Sequence, residues 1–344
     1  MFRIFPLAAR FKMLSTAAAV VLGATPSVWA QRADIAAADK ALTGSTSAFQ
    51  ALQDGRMEDA AALLKPALAI NAGDASAHQL LCRVYYAQDR ADEAVHECEL
   101  AAGAGGQSRS SASENHLWLG RAYGLKARRA GPINGFKLAK RVQASFARAV
   151  ELNPANVAAL NDLGEYYVSA PSIVGGGTDK AKLLANSMFA NFPAQAHLLR
   201  ARIAVEDKDY GTAESEFKQV IAIQKNTQAW VDLAAFYKER GRKDDAVAAV
   251  KSGVAADRTH GPAVVDAASV LIAMHREPEL AEKCLRLYLT SHAKTDEAPA
   301  FKVHVELSRL LTARGLSNEA GEQMAVATAL APVFARSARQ WQGL

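Results

Sequence analysis

What the chain has little of narrows its class. Only 3 of its 344 residues are cysteine and only 7% are aromatic. Three cysteines cannot staple a chain of this length, so a buried core must hold it, and the length suffices for a large one. Sparse aromatics, abundant alanine and 50% hydrophobic residues suit closely packed helices better than sheets. Enzyme signatures are missing: there is no Gly-x-Ser-x-Gly, no His-Glu-x-x-His and no Rossmann glycine pattern after a strand. Asp162 with Glu165, and Asp244 with Asp245, read as solvated faces and helix starts, so no catalytic residue is assigned. Paired Cys-x-x-Cys or His-x-x-x-His spacing is absent too. His78, Cys82 and Cys98 offer at most three zinc ligands, and neither a metal nor another cofactor is expected.

A long hydrophobic run is also lacking, with one partial exception. Met13–Ala24 is apolar for twelve residues, too short for the roughly twenty that span a bilayer. Arg3, Arg10 and Lys12 precede it, and Val28-Trp29-Ala30 places small residues where a signal peptidase reads. Residues 1–30 are therefore expected to be a signal peptide cut near Ala30, with the protein exported to the periplasm or secreted. Removing the three basic residues leaves 37 Lys and Arg against 35 Asp and Glu, a net of +2. That balance does not indicate a nucleic-acid binder.

What is there is a repeat. In Asn226–Arg258, Trp230, Leu233, Ala234 and Tyr237 recur at helical spacing on one face. Gly241 breaks that helix, and Asp244 and Asp245 suit the positive start of the next. Ala246, Val250 and Gly253 line its inner face and permit close approach. Leu117-Trp118-Leu119-Gly120 with Tyr123, and Leu160, Leu163, Gly164 with Tyr167, restate the first helix. Ala60 and Ala94 stand 34 residues apart in successive second helices. This pattern resembles the tetratricopeptide repeat (TPR) family, whose helix-turn-helix unit has a period of about 34 residues.

The resemblance implies an all-α solenoid, a right-handed superhelix whose first helices line a concave groove. Single-domain residues 31–344 divide into repeats at 43–73, 74–104, 113–154, 155–192, 193–225, 226–258, 261–291 and 299–332, with a capping helix over 333–344 that carries Trp341. Gly103–Ser113 reads as a flexible loop. Ala130–Gly135 and Ala170–Gly177 read as enlarged turns in repeats 3 and 4, and His292–Ala298 as a polar loop.

The family's usual role implies a non-catalytic scaffold that holds a protein or peptide in the groove. Arginine follows the small-residue position of the first helix at Arg83, Arg121, Arg202 and Arg309, while repeat 4 places Glu165 there. With Gln79, Tyr86, Leu117 and Asn161 this ladder forms a candidate partner-binding face. Its planar guanidinium forks suit an acidic peptide or a chain terminus. The alternative is arginine in water or paired with glutamate on a neighbouring helix. A second candidate is a basic patch at the turn of repeat 3, formed by Lys126, Arg128, Arg129, Lys137, Lys140 and Arg141. It marks either a solvated face or, in an envelope-assembly role, contact with an anionic membrane surface or polymer. Val174-Gly175-Gly176-Gly177-Thr178 lacks the Lys-Ser or Lys-Thr of a phosphate loop. Cys82 and Cys98 fall at matching levels of adjacent helices and are either a disulfide or two buried thiols.

Overall fold

The computed structural model describes residues 44–334. The expected signal peptide, residues 31–43 and most of the expected capping tail with Trp341 lie outside the described residues. Helix α1 covers 44–53. It is followed by α2 (Met57–Ile70), α3 (Ala75–Ala87), α4 (Ala91–Gly103), α5 (Arg109–Ala127), α6 (Pro132–Leu152), α7 (Val157–Ser169) and α8 (Thr178–Met188). Then come α9 (Pro193–Glu206), α10 (Tyr210–Gln224), α11 (Thr227–Glu239), α12 (Lys243–Ala256), α13 (Pro262–Met274), α14 (Pro278–Thr290), α15 (Ala300–Ala313) and α16 (Ser317–Leu330). No strand occurs among the described residues.

Local chemistry sets where these helices begin. The Asp74 carboxylate accepts from the backbone N–H groups of Ser76 and Ala77, Asn156 from Ala159, and Asn226 from Ala229. Each side-chain cap satisfies donors that a helix start leaves unpaired and stabilises it by about 1 kcal/mol. Two boundaries differ from the sequence reading for the same kind of reason. Ser108 caps α5, so Arg109–Ser113 is helix rather than loop. Pro132 takes the first position of α6, where its fixed φ and missing N–H cost nothing, so the enlarged turn shrinks to 128–131. The insertion in repeat 3 is instead spent on long helices of 19 and 21 residues. The longer connection in repeat 4 persists and contains a short 3-10 turn, Ser172–Val174.

Each odd-numbered helix from α3 onward packs on the even-numbered one that follows. Odd helices also touch along the series, α3 on α5, α5 on α7, α7 on α9 and α11 on α13, and form the inner layer. Close approach is built in at Gly120, where an added Cβ would lie 2.4 Å from the Phe146 ring. Among the described residues the helix pairs curl until α15 lies against α1 and α2. Phe301 of α15 and Ala331 are fully buried in the cluster that holds Leu52, Met57 and Leu64. Gly55, at φ 82°, leaves room for the Ala300 backbone, which a Cβ would meet at 3.2 Å. The Val333 N–H donates to Glu58 at 3.0 Å, and Lys302 Nζ to Asp89 at 3.0 Å. Burying Phe301 alone contributes roughly 2–3 kcal/mol to this closure.

Candidate functional site

The inner layer carries the arginine ladder. Arg83 lies on α3, Trp118 and Arg121 on α5, Asp162 and Glu165 on α7, and Arg202 on α9. Trp118 and Arg121 are three residues apart, and so are Asp162 and Glu165, so each pair shares a helix face. Arg83 stands over Phe49 on one side at 5.3 Å and over Trp118 on the other at 5.0 Å. Arg121 covers the same Trp118 ring at 4.8 Å, giving a cation–aromatic stack across three repeats.

These guanidinium groups are not solvated. Segment 291–299, between α14 and α15, reaches into the ring and pairs with two of them. Arg83 donates to both oxygens of Asp296, at 2.8 and 2.7 Å. Arg121 donates to Asp162 at 2.7 Å and to Glu297 at 3.2 Å. Arg202 pairs with Glu165 at 3.3 Å. The segment is pinned by the buried Tyr288, whose hydroxyl donates to the Thr295 and Ala298 carbonyls at 3.2 and 2.6 Å and accepts from the Thr295 N–H. Burial raises the pKa of Asp296, but the Arg83 charge and hydrogen bonds outweigh it and hold the carboxyl below its usual range. Burial disfavours the Arg121 charge as well, and Asp162 and Glu297 more than restore it.

The opposite sector of the inner layer is acidic. Gln228 donates to Asp232 at 3.1 Å on α11, and Ser269 of α13 donates to Glu306 of α15 at 2.8 Å. Burial pushes Asp232 up to about 6 against the pull of Arg202. Burial and the neighbouring Asp232 charge push Asp266 to about 7. Burial outweighs Arg121 at Glu297 and pushes it to about 7. Between the two sectors lies a cavity of about 110 Å³, bordered by Tyr86, Trp118, Arg121, Asp162, Asp266 and Glu297.

Other sequence candidates fall out differently. Leu117 is 1% exposed and belongs to the core, because its neighbours Trp118 and Arg121 take the concave side of α5. Tyr86 borders the cavity and meets Trp118 edge-on at 5.6 Å. Gln79 and Asn161 are half-buried, and Arg309 is exposed rather than in line with the other arginines. Cys82 and Cys98 are disulfide-bonded, with Cα atoms 5.2 Å apart, which clips α3 to α4. His78 hydrogen-bonds Glu97 at 2.6 Å. The Gly175–Gly177 turn satisfies itself, with Gly176 and Gly177 N–H donating to Pro171 and Tyr167, so it is no phosphate cradle. In the basic patch, Lys126 pairs with Asp92 at 2.8 Å, Arg129 donates to the Asp89 carbonyl at 2.8 Å and Arg141 reaches Glu99 at 3.5 Å. Lys137 and Lys140 stay exposed. Among the described residues no group of three or more His, Cys, Asp or Glu is placed to hold a metal ion, and no helix is long and apolar enough to cross a membrane.

Residues 51–112 and 204–271 match the tetratricopeptide repeat family model. Both stretches are similar to tetratricopeptide repeats. The first takes in Arg83 and the Cys82–Cys98 clip, the second the acidic Asp232 and Asp266. No curated protein matches the chain in sequence. Among solved structures, a thermophilic tetratricopeptide repeat protein of Thermus thermophilus is similar at 19% identity and a TM-score of 0.43, covering 69% of this chain and 99% of that one. A tetratricopeptide repeat protein of Parabacteroides merdae is similar at 13% identity and a TM-score of 0.47, covering 82% and 99%. Neither likeness bears on partner or site. Tetratricopeptide repeats are in general protein-interaction modules.

What sequence reading missed is the acidic half of the site. Asp296 and Glu297 sit in a stretch that reads only as a polar loop, and the adjacent carboxylates are the one local signal of a demand for arginine.

Proposed function

We propose that the chain is a non-catalytic protein-interaction scaffold, and that segment 291–299 lies where an acidic segment of a partner binds. The observation that supports this reading is the two-pronged Arg83–Asp296 pair beside Arg121–Glu297. An irregular strand of chain laid across inner helices presents two adjacent carboxylates to two arginines, the geometry that guanidinium groups read best. Arg121 Nη2 is buried without an acceptor, so the ladder retains a donor for a ligand better fitted than the chain's own segment. The partner would displace Asp296 and Glu297, and its apparent affinity falls by the fraction of molecules in which they are displaced. Export with cleavage near Ala30 belongs to the same reading. It rests on the leader's composition and on the Cys82–Cys98 bond, which suits an oxidising compartment.

The test is a fluorescent peptide carrying residues 295–299, titrated against the wild type and against Asp296→Asn/Glu297→Gln. Binding at least tenfold tighter to the variant, and lost on adding Arg83→Gln and Arg121→Gln, is the expected result. Binding that persists without the arginines would place the partner elsewhere.

A further inference from the structure

The basic patch is not absorbed by the groove, and the structure adds something the sequence did not reveal about it. Ile133 is 75% exposed and Ile173 is 70% exposed, with Phe136 at 39%. Ile133 and Phe136 belong to the first turn and a half of α6, and Ile173 to the 3-10 turn between α7 and α8. Both are connections from an inner to an outer helix, so they project from the same edge of the solenoid. They are also neighbours. The Tyr166 hydroxyl donates to Ala139 of α6 and to Val174 of the 3-10 turn, both at 2.8 Å. Ile133 lies six residues before Ala139, about 9 Å along the helix axis.

Ile133 and Ile173 stand mostly in solvent. Isoleucine at the tip of a turn gains nothing from water, whereas Lys137 and Lys140 beside it remain exposed and Lys140 lies over the Phe136 ring at 4.7 Å. Residues 115–150, between Glu114 and Glu151, include no acidic residue to neutralise them. Aliphatic tips ringed by lysines match a lipid interface, where apolar side chains enter the acyl boundary and ammonium groups meet anionic headgroups. A soluble polyanion would engage the lysines and leave Ile133 and Ile173 without a role.

We propose that the turn edge of repeats 3 and 4 docks on an anionic phospholipid bilayer, with Ile133, Phe136 and Ile173 inserted and Lys137 and Lys140 on the headgroups. The docking is peripheral, and it leaves the concave face on a different side of the molecule.

The test is co-sedimentation with vesicles of phosphatidylcholine alone and of phosphatidylcholine with 30% phosphatidylglycerol. The full chain and a version starting at Gln31 are run side by side, so that the apolar leader is accounted for. The wild type from Gln31 should partition at least tenfold more onto the anionic vesicles. Ile133→Ser/Ile173→Ser and Lys137→Glu/Lys140→Glu should each reduce that partition about tenfold or more. Ile70→Ser, an exposed apolar residue at the other end of an outer helix, should not. All five positions are exposed, so unchanged helical circular dichroism is expected throughout. Failure to sediment with anionic vesicles would overturn the proposal. So would binding that the lysine variant abolishes, the isoleucine variant leaves intact and soluble polyphosphate competes away, since that pattern describes a polyanion site.

Discussion

The two sectors of the inner face are built from the same kind of helix and behave in opposite ways. On α3 and α5, Arg83 and Arg121 meet carboxylates at 2.7–3.2 Å. On α11 and α13, Asp232 and Asp266 face each other across the inner layer with no arginine bonded to either. Asp296 and Asp266 make the contrast sharpest. Both are aspartates inside one ring, yet the first is held below the usual carboxylate range and the second is pushed to about 7. Burial alone raises both, and the cation in contact decides which way the balance falls. Glu297 joins the sectors and carries the mark of each, since it bonds Arg121 and is still pushed to about 7.

The largest effect should come from breaking the arginine sector. Arg121→Ala leaves Asp162 and Glu297 inside the ring without their cation and should cost on the order of 3–5 kcal/mol. Thermal unfolding would show this as a fall of roughly 5–8 °C. Arg121→Met combined with Glu297→Gln should recover part of the loss, because a neutral pair has less to desolvate.

A covalent difference separates the sectors as well. The arginine sector is clipped by Cys82–Cys98, while Cys284 in the other half is buried and free. Closing a loop of 16 residues in sequence separation contributes about 3 kcal/mol in the chain-entropy view. Reduction should therefore speed hydrogen exchange in α3–α5 and leave α11–α15 unchanged. Uniform loosening of all eight pairs would mean that the sectors unfold as one unit.

The smallest effect is a pH dependence with opposite signs in the two sectors. A carboxyl whose folded pKa is raised contributes stability that is present at low pH and lost as pH rises through the folded value. Asp232 at about 6, and Asp266 and Glu297 at about 7, should thus make the protein more stable as pH falls from 8 toward 5. Asp296 is lowered, so its contribution disappears only as pH drops below the ordinary carboxylate range. Asp266→Asn should stabilise the chain by about 1 kcal/mol at pH 8 and flatten the rise toward pH 5. Asp296→Asn should destabilise it at both pH values. A wild-type stability that is flat between pH 8 and 5 would remove the distinction between the sectors.

Much of the helical architecture is legible in local sequence. The 34-residue interval from Ala60 to Ala94 and the glycine slot at Gly120 are short-range signals, and so are the Asp74, Asn156 and Asn226 caps, because each acts within a turn or two of helix. The arginines at 83, 121 and 202 are legible for the same reason. Their partners are not all so. Asp162 and Glu165 both lie on α7, the inner helix adjacent to those of Arg121 and Arg202, but Asp296 is 213 residues from Arg83 and meets it only because a full set of repeats closes the curve. Small rotations between successive pairs accumulate into that closure, and no single residue specifies them. Leu117 fails as a groove residue for a nearer reason, since a helix with both faces covered offers four rows of side chains and the spacing alone does not say which one faces inward.

The last repeats fold back onto the first repeats through segment 291–299. A double-mutant cycle on Arg83→Ala and Asp296→Ala, read by denaturant unfolding, tests it most directly. Closure predicts a coupling of about 2 kcal/mol or more between these positions. Additivity within about 0.5 kcal/mol would mean the two side chains do not meet in solution and would contradict it.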